Sequence, residues 1–437
     1  MQTAAPPWRP DDASQPKPSA WAQISLAARR VILARMSRSI GQGALVAAFT
    51  LYLHALQWSA PQIGAVLSGG LFIGAALTLW IGPLSDRLGR RQFLLGYELI
   101  LVICAAVALF TSTPWLLVPA ALLGGFGRGA NGAAGPFGPL EQAWLAHGTP
   151  PALRSQIFSL NSTLGMLGMA LGAVFGAAPH WLSSLMSQDW AYRSLFVLPL
   201  LGSAAGFFLL LTAEDAPTAS RVEPRPLSAL GADERSDDDS PRQERHRREN
   251  RLLWRLGLVN ALNGLGIGMV APLMAYWYLV RFGHGPASIG PAMAASFVFA
   301  AFGAQVASRL AQRFGAVRAV VGMRTAGLLM LLLTPLSPVF WIAASFYALR
   351  ATANQGTMGV RQALTVSLTG ADRRGLAATV NNVSIQIPRA IGPLFAGVLL
   401  HMGWLVAPFL VAAAFQALYL VLYQRLFRNI EPSKAAT

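Results

Sequence analysis

Residues 82–91, GPLSDRLGRR, set four charges and two glycines between two apolar runs, 60–84 and 92–113. Proline, glycine and this density of charge predict a helix break and a polar loop. Each flanking run holds about 20 largely apolar residues, the length a bilayer core demands. Similar blocks recur on either side, at 30–54, 115–146, 153–178 and 191–212, then at 252–281, 286–310, 315–334, 337–368, 374–401 and 404–427. The spacing gives two sets of six. Blocks of this length without strand-like alternation predict helices, not an outer-membrane barrel.

Composition agrees. Of 437 residues 54% are hydrophobic and only 12% charged, and the mean hydropathy of +0.47 is too high for a chain with a solvated surface. The net charge of +16 is sorted by loop. Connections near 55–60, 112–115, 335–338 and 401–404 carry no Lys or Arg, whereas Arg29, Arg30, Arg35, Arg87, Arg90, Arg91, Arg154, Arg309, Arg313, Arg318, Arg373, Arg374, Arg425 and Arg428 flank the opposite ends. The positive-inside rule therefore predicts cytoplasmic termini and an inner or plasma membrane address. A nucleic-acid partner is excluded, since no soluble basic module is present.

The expected organisation is a disordered cytoplasmic tail at 1–29, a six-helix bundle at 30–212, a charged flexible linker at 213–250, a second bundle at 251–427 and a short tail at 428–437. The tail lacks a signal-peptide core. Cys104, the single cysteine, rules out internal disulfides and reads as a packing residue.

The halves repeat. RLGRRQFLLG around Gly89 aligns with RFGAVRAVVG around Gly315 at an offset of 226, with Gln312 in place of Asp86. RGANG from Arg128 parallels RATANQG from Arg350, and both lead into a Gln-Ala pair. Arg154, Asn161 and Gly172 align with Arg374, Asn381 and Gly392 at an offset of 220. Three matches in order argue for duplication.

Gly82, Asp86, Arg87, Gly89, Arg90 and Arg91 resemble the signature loop of the major facilitator superfamily, and the twelve blocks extend the resemblance over the whole membrane portion. It implies an all-α membrane protein of twelve transmembrane helices in two pseudo-symmetric six-helix bundles. The stretch Arg128-Gly-Ala-Asn-Gly-Ala-Ala134 resembles the fourth-helix pattern of the drug/proton antiporter branch. The glycine ladder Gly165, Gly168, Gly172 and Gly176 keeps part of that branch's fifth-helix pattern without its Gly-Pro, which stands instead at Gly392-Pro393. The resemblance implies a conformational latch at Gly82, Asp86, Arg87, Gly89 and Arg90, with Glu141 the expected partner of Arg90 or Arg154.

Three arginines fall near the middle of predicted spans: Arg128, Arg350 and Arg389. Charge at that depth is costly unless paired or hydrated, and marks a functional site. The only carboxylates in the spans are Glu98 and Glu141, so this surplus suits an anionic cargo gripped by guanidinium groups. Gln42, Asn131 and Gln386 are the amides expected to line the same cavity, while Asn161 and Asn381 read as interhelical glue. Glu98 and Arg324, which are repeat mates, are expected to snorkel to the inner surface, with proton carriage by Glu98 the other reading. Tyr276, Trp277 and Tyr278 predict an interfacial belt, with an outer gate as the other role for one ring. The histidines lack metal-ligand spacing, residues 124–138 lack a phosphate loop's context, and no cofactor is expected.

These signs predict a secondary active transporter working by alternating access, not an enzyme, moving a small solute across the lipid bilayer. One reading is a proton-coupled or exchange-type exporter. The other is an organic-anion uniporter, symporter or exchanger. A non-transporting sensor or assembly factor on the same scaffold is the remote third.

Overall fold

The computed structural model describes residue 21 and residues 24–128, 138–147, 149–150, 153–213, 240–367 and 374–427, without the side chains of 81–88, 147, 155, 240–246, 248, 363, 365–367 and 374–378. The described residues form helices and short connections and contain no strand. Among the described residues, sixteen α-helices make up the twelve spans. The first six come from α1 Leu26–Ala55, α2 Ala60–Leu88, α3 Arg90–Phe110, α4 Pro114–Gly124 with α5 Gly138–His147, α6 Arg154–Phe175 with α7 Ala178–Leu182, and α8 Gln188–Arg193 with α9 Val197–Leu211. The second six come from α10 Ser240–Val270 with α11 Met274–Phe282, α12 Pro286–Phe314, α13 Ala316–Leu336, α14 Phe340–Ser367, α15 Arg374–His401 and α16 Ala407–Phe427. Nine of these helical units are long and apolar enough to cross a membrane. The remaining three spans, α1, α4 with α5, and α14, contribute Arg35, Arg38, Gln42, Glu141, Arg350 and Arg361.

Three expectations need correction. The decapeptide is not helix-breaking: α2 runs through to Leu88 and α3 starts at Arg90, so the chain turns on Gly89 alone. Its φ of 99° belongs to a region that side chains with a Cβ avoid, and Gly315 repeats it at 92° between α12 and α13. Second, the fourth block is not one helix. α4 stops at Gly124 because Gly125 takes a left-handed C-cap conformation, φ 63°, and Gly127 follows at 74°. Third, α10 begins at Ser240, inside the stretch expected to be linker. Its opening turns are rich in Gln, Glu and Arg, which are strong helix formers.

One apolar core runs through both bundles, from Leu45, Phe49 and Tyr52 to Met274, Phe297 and Phe409. Smaller cores close the arginine-rich end of each bundle, around Trp144 in the first and Tyr419 in the second. The bundles meet mainly where α2 packs on α15 and α6 on α12. On the arginine-poor side, the Leu394 amide donates to Ser68 Oγ at 2.9 Å and the rings of His54 and Tyr276 touch at 5.4 Å. At the arginine-rich face, Arg30 and Arg91 donate to the last carbonyls of the sixth span, at Thr212 and at Leu210 and Leu211. Basic side chains at a helix C-terminus offset its dipole, so these loop charges have a folding role beyond topology.

Candidate functional site

Two polar centres are buried in the membrane portion, one inside the first half and one at the junction of the halves. The deeper into the sequence-predicted inner half lies along α1, where Arg35, Arg38 and Gln42 recur at helical spacing and share one face. All three are buried. Arg38 donates to both Glu98 of α3 and Glu141 of α5, and Arg35 stands 3.9 Å from Glu141. Glu98 is fully buried, about 12 Å along α3 from its start, beyond the reach of a glutamate to the surface. Snorkelling is thereby overturned. Glu141 pairs with Arg38 instead of Arg90 or Arg154, because α5 brings it against α1; exposed Arg154 donates to the Thr149 carbonyl at 3.3 Å. Charges buried this far persist only when paired, so the cluster acts as one unit.

The second centre joins the halves. The Arg128 guanidinium folds back over Gly125, where a Cβ would lie 1.8 Å from its central carbon, and Nη2 points at the Leu123 carbonyl at 3.4 Å. Gln42 Nε2 approaches the Gly124 carbonyl at 3.4 Å. Both side chains thus serve the exposed carbonyls at the end of α4, which is the cost of ending a helix inside the membrane. Arg389 of α15 reaches across from the other bundle and donates Nη2 to the Arg128 carbonyl at 2.7 Å. Tyr347 lies within electrostatic reach of both Arg389 and Arg350. Gln386 stands one turn before Arg389 on α15, half-buried.

Arg350 differs from its neighbours. It is 3% exposed, yet its Nε and Nη2 have no hydrogen-bond partner among the described residues. Those two nitrogens form one edge of the guanidinium, the side-on fork that matches the two oxygens of a carboxylate. No Asp or Glu occurs in the sequence between Glu249 and Asp372, so the spans α11 to α14 contain none that could fill it.

With paired bundles, a break in the fourth span and arginines at the junction in place, the comparisons decide the family. The model of the Major Facilitator Superfamily matches residues 31–258 and 256–437. The chain belongs to this superfamily. It is a multi-pass membrane transporter of a small molecule, not an enzyme. The gentisate transporter of Corynebacterium glutamicum is 25% identical over 360 residues, 79% of this chain and 75% of that one. The multidrug transporter MdfA of Escherichia coli is 29% identical over 209 residues, 46% of each chain. Among solved structures, a bacterial homolog of the human lysosomal transporter Spinster, in an inward-facing and unoccupied conformation, shares the fold. Its TM-score is 0.69 at 15% identity, covering 96% of this transporter and all of that chain.

Of the residues singled out from sequence, the structure brings together Arg128, Arg389 and Gln42. Asn131 lies outside the described residues, and the side chains of Asp86 and Arg87 are likewise not described. Tyr276, Trp277 and Tyr278 are buried, not a belt: Trp277 donates to the Leu405 carbonyl at 2.8 Å and packs at a tilt against Phe409, and Tyr278 packs on Phe340. Proline 272 interrupts the seventh span just before them and turns their faces inward. Sequence reasoning passed over Arg38, which organises the first centre. Its signal was the helical spacing Arg35, Arg38, Gln42, obscured because Arg35 was counted with the loop charges.

Proposed function

We propose that this transporter carries a small organic anion, gripped by Arg350 with Arg389 and Arg128 at the junction of the bundles, and couples its movement to protons at Glu98 and Glu141. The inner or plasma membrane, with both termini cytoplasmic, completes the reading, on the strength of the arginine asymmetry. The observation that carries it is the open fork of Arg350. A buried guanidinium edge without a partner costs several kcal/mol, and a cargo carboxylate offsets that cost when it docks (about 1–3 kcal/mol per charged hydrogen bond). The gentisate transporter, named for an aromatic carboxylate, supports the same class of cargo. Proton coupling rests on two carboxylates sharing the single Arg38 guanidinium: pull Arg38 away and one of them takes a proton. The loop of Gly82, Asp86, Arg87, Gly89 and Arg90 acts in this reading as the latch between conformations, pivoting on Gly89.

Counterflow in proteoliposomes tests the cargo. Vesicles loaded with unlabelled gentisate or benzoate are expected to accumulate labelled benzoate, and Arg350→Lys, which keeps the charge but loses the fork, raises KM about 10- to 100-fold. Absence of anion counterflow across a carboxylate panel, or an unchanged KM in the variant, rejects the reading. Glu98→Gln is expected to retain counterflow and lose accumulation driven by a pH gradient.

A second reading is a proton-driven drug exporter, favoured by the likeness of 128–134 to that branch's pattern and by the similarity to MdfA. Efflux of lipophilic cations that is indifferent to Arg350→Lys would establish it over the anion reading.

A further inference from the structure

The repeat supplies a depth scale for the arginine-rich face. Gly43 of α1 packs on the backbone of Met169, and Gly268 of α10 packs in the same way on that of Arg389, which fixes the offsets at 225 for these helices and 220 for their partners. Arg35 and Arg38 thus correspond to Asn260 and Asn263, and Arg30 to Arg255, while the loop offset of 226 pairs Glu98 with Arg324 and the Gln-Ala pairs match Glu141 to Arg361. Arg30 donates to the Thr212 carbonyl at the end of the sixth span, so Arg255 stands at the matching level, near the membrane edge. α1 starts at Leu26, the counterpart of Arg251, whereas α10 starts at Ser240, about three turns earlier. α10 therefore projects further from the arginine-rich face.

One side of this part of α10 stays uncovered. Arg247, Arg251, Trp254, Arg255 and Leu258 recur at helical spacing and share a face. All five are exposed, Trp254 at 71% and Leu258 at 58%. Trp254 is about two and a half turns from Asn263, which bonds Arg324 inside the bundle, so the stripe points away from the bundle interior. α15 covers one flank of α10 at Gly264 and Gly268, and α16 covers another at Gly266. Glu249 is 8% exposed and lies off the stripe, whose described charges are all positive.

The order along the stripe follows the layers of a bilayer, with Leu258 at acyl depth, Trp254 at the interface and the arginines toward the headgroups. Helical side chains lean toward the N-terminus, here the arginine-rich face, so the long Arg255 side chain reaches headgroup level as well. The first half has no such stripe. Its matching positions hold Leu26, Arg29, Arg30 and Leu33, and the protein itself engages both arginines, Arg29 over the Trp21 ring at 5.8 Å and Arg30 at Thr212.

We propose that this stripe of α10 is a docking face for anionic phospholipids in the leaflet at the arginine-rich face, their phosphodiester oxygens held by Arg247, Arg251 and Arg255. Guanidinium groups pair with phosphate oxygens side-on. A phospholipid fits better than a free anion because the stripe runs on into Trp254 and Leu258, which an acyl chain covers. The site is separate from the arginines at the junction of the bundles and holds whichever cargo is carried.

Thermal unfolding of the purified transporter in a neutral detergent, titrated with phosphatidylglycerol or phosphatidylcholine, tests the face. Phosphatidylglycerol is expected to raise the midpoint saturably, by about 5 °C, and to remain bound in native mass spectrometry; phosphatidylcholine and inorganic phosphate are expected to do neither. The triple variant Arg247→Gln, Arg251→Gln, Arg255→Gln keeps the midpoint seen without lipid and weakens the phosphatidylglycerol response about 100-fold. Arg309→Gln, Arg313→Gln, Arg318→Gln, which removes the same charge from exposed positions elsewhere on that face, retains the response. Equal midpoints in the two lipids, the same rise with inorganic phosphate, an undiminished response in the α10 triple variant, or an equal loss in both triple variants would overturn the proposal. A lipid response that emerges only after Asp237, Asp238 and Asp239 are changed to Asn would overturn it too, by giving the stripe to the chain's own acidic segment.

Discussion

In the first bundle Arg38 sits between Glu98 and Glu141; in the second, Arg324 sits between Asn263 and Asn354. The same helices, crossing at the same glycines, set arginines against carboxylates on one side and, among the described bonds, arginines against amides on the other. A duplicated scaffold preserves backbone geometry because close helix contacts tolerate little change, whereas a buried polar cluster can exchange donor for acceptor as long as each hydrogen bond survives. The two halves have thus diverged in electrostatics while keeping their packing. Buried carboxylates stand in the first half at Glu98 and Glu141, where the second half has Arg324 and Arg361.

The largest expected effect on this comparison comes from Arg38→Ala. It strands buried Glu98 and leaves Glu141 only Arg35, 3.9 Å away, and should cost about 3–5 kcal/mol, read as a large fall in unfolding midpoint or as loss of folded protein. Asn263→Ala, at the matching position, removes a neutral acceptor and should cost about 1–3 kcal/mol. Equal losses would mean that the clusters are energetically alike despite their charges. Next in size, Gly89→Ala and Gly315→Ala each place a Cβ in the positive-φ region and should cost about 1–2 kcal/mol. Near-equal midpoint shifts are expected, since the two turns share φ values of 99° and 92°; a marked difference would break the symmetry assigned to the hinges. The smallest effect is expected from Arg91→Gln, which weakens the cap on the sixth span by about 0.3–1 kcal/mol without altering counterflow.

Much of the fold was legible in sequence because the bilayer imposes one coarse rule, a long apolar block for every crossing. The spacing of Gly89 and Gly315, and of Gly172 and Gly392, carried the duplication, since positions that need positive φ or close approach cannot vary freely. The candidate site was legible in part. Arg128, Arg350 and Arg389 stood out because charge is rare at that depth. Their neighbours did not. That Arg128 caps α4, that Arg389 bonds its carbonyl from the other bundle and that Arg350 keeps an edge with no partner among the described residues are matters of rotamer and helix end, which spacing does not encode. Glu98 and Tyr276 to Tyr278 were misplaced for a related reason: a residue near a span end faces either lipid headgroups or a neighbouring helix, and hydropathy is the same for both.

By itself the sequence determined the environment, the number of crossings and the kinship of the halves, because these follow from composition and period along one chain. Tertiary structure alone decided which charges meet. Arg38 and Glu141 are 103 residues apart, and Arg389 and Arg128 are 261 apart. Electrostatic energy depends on ångströms through space and on the water excluded between groups, and neither quantity exists until the helices have packed.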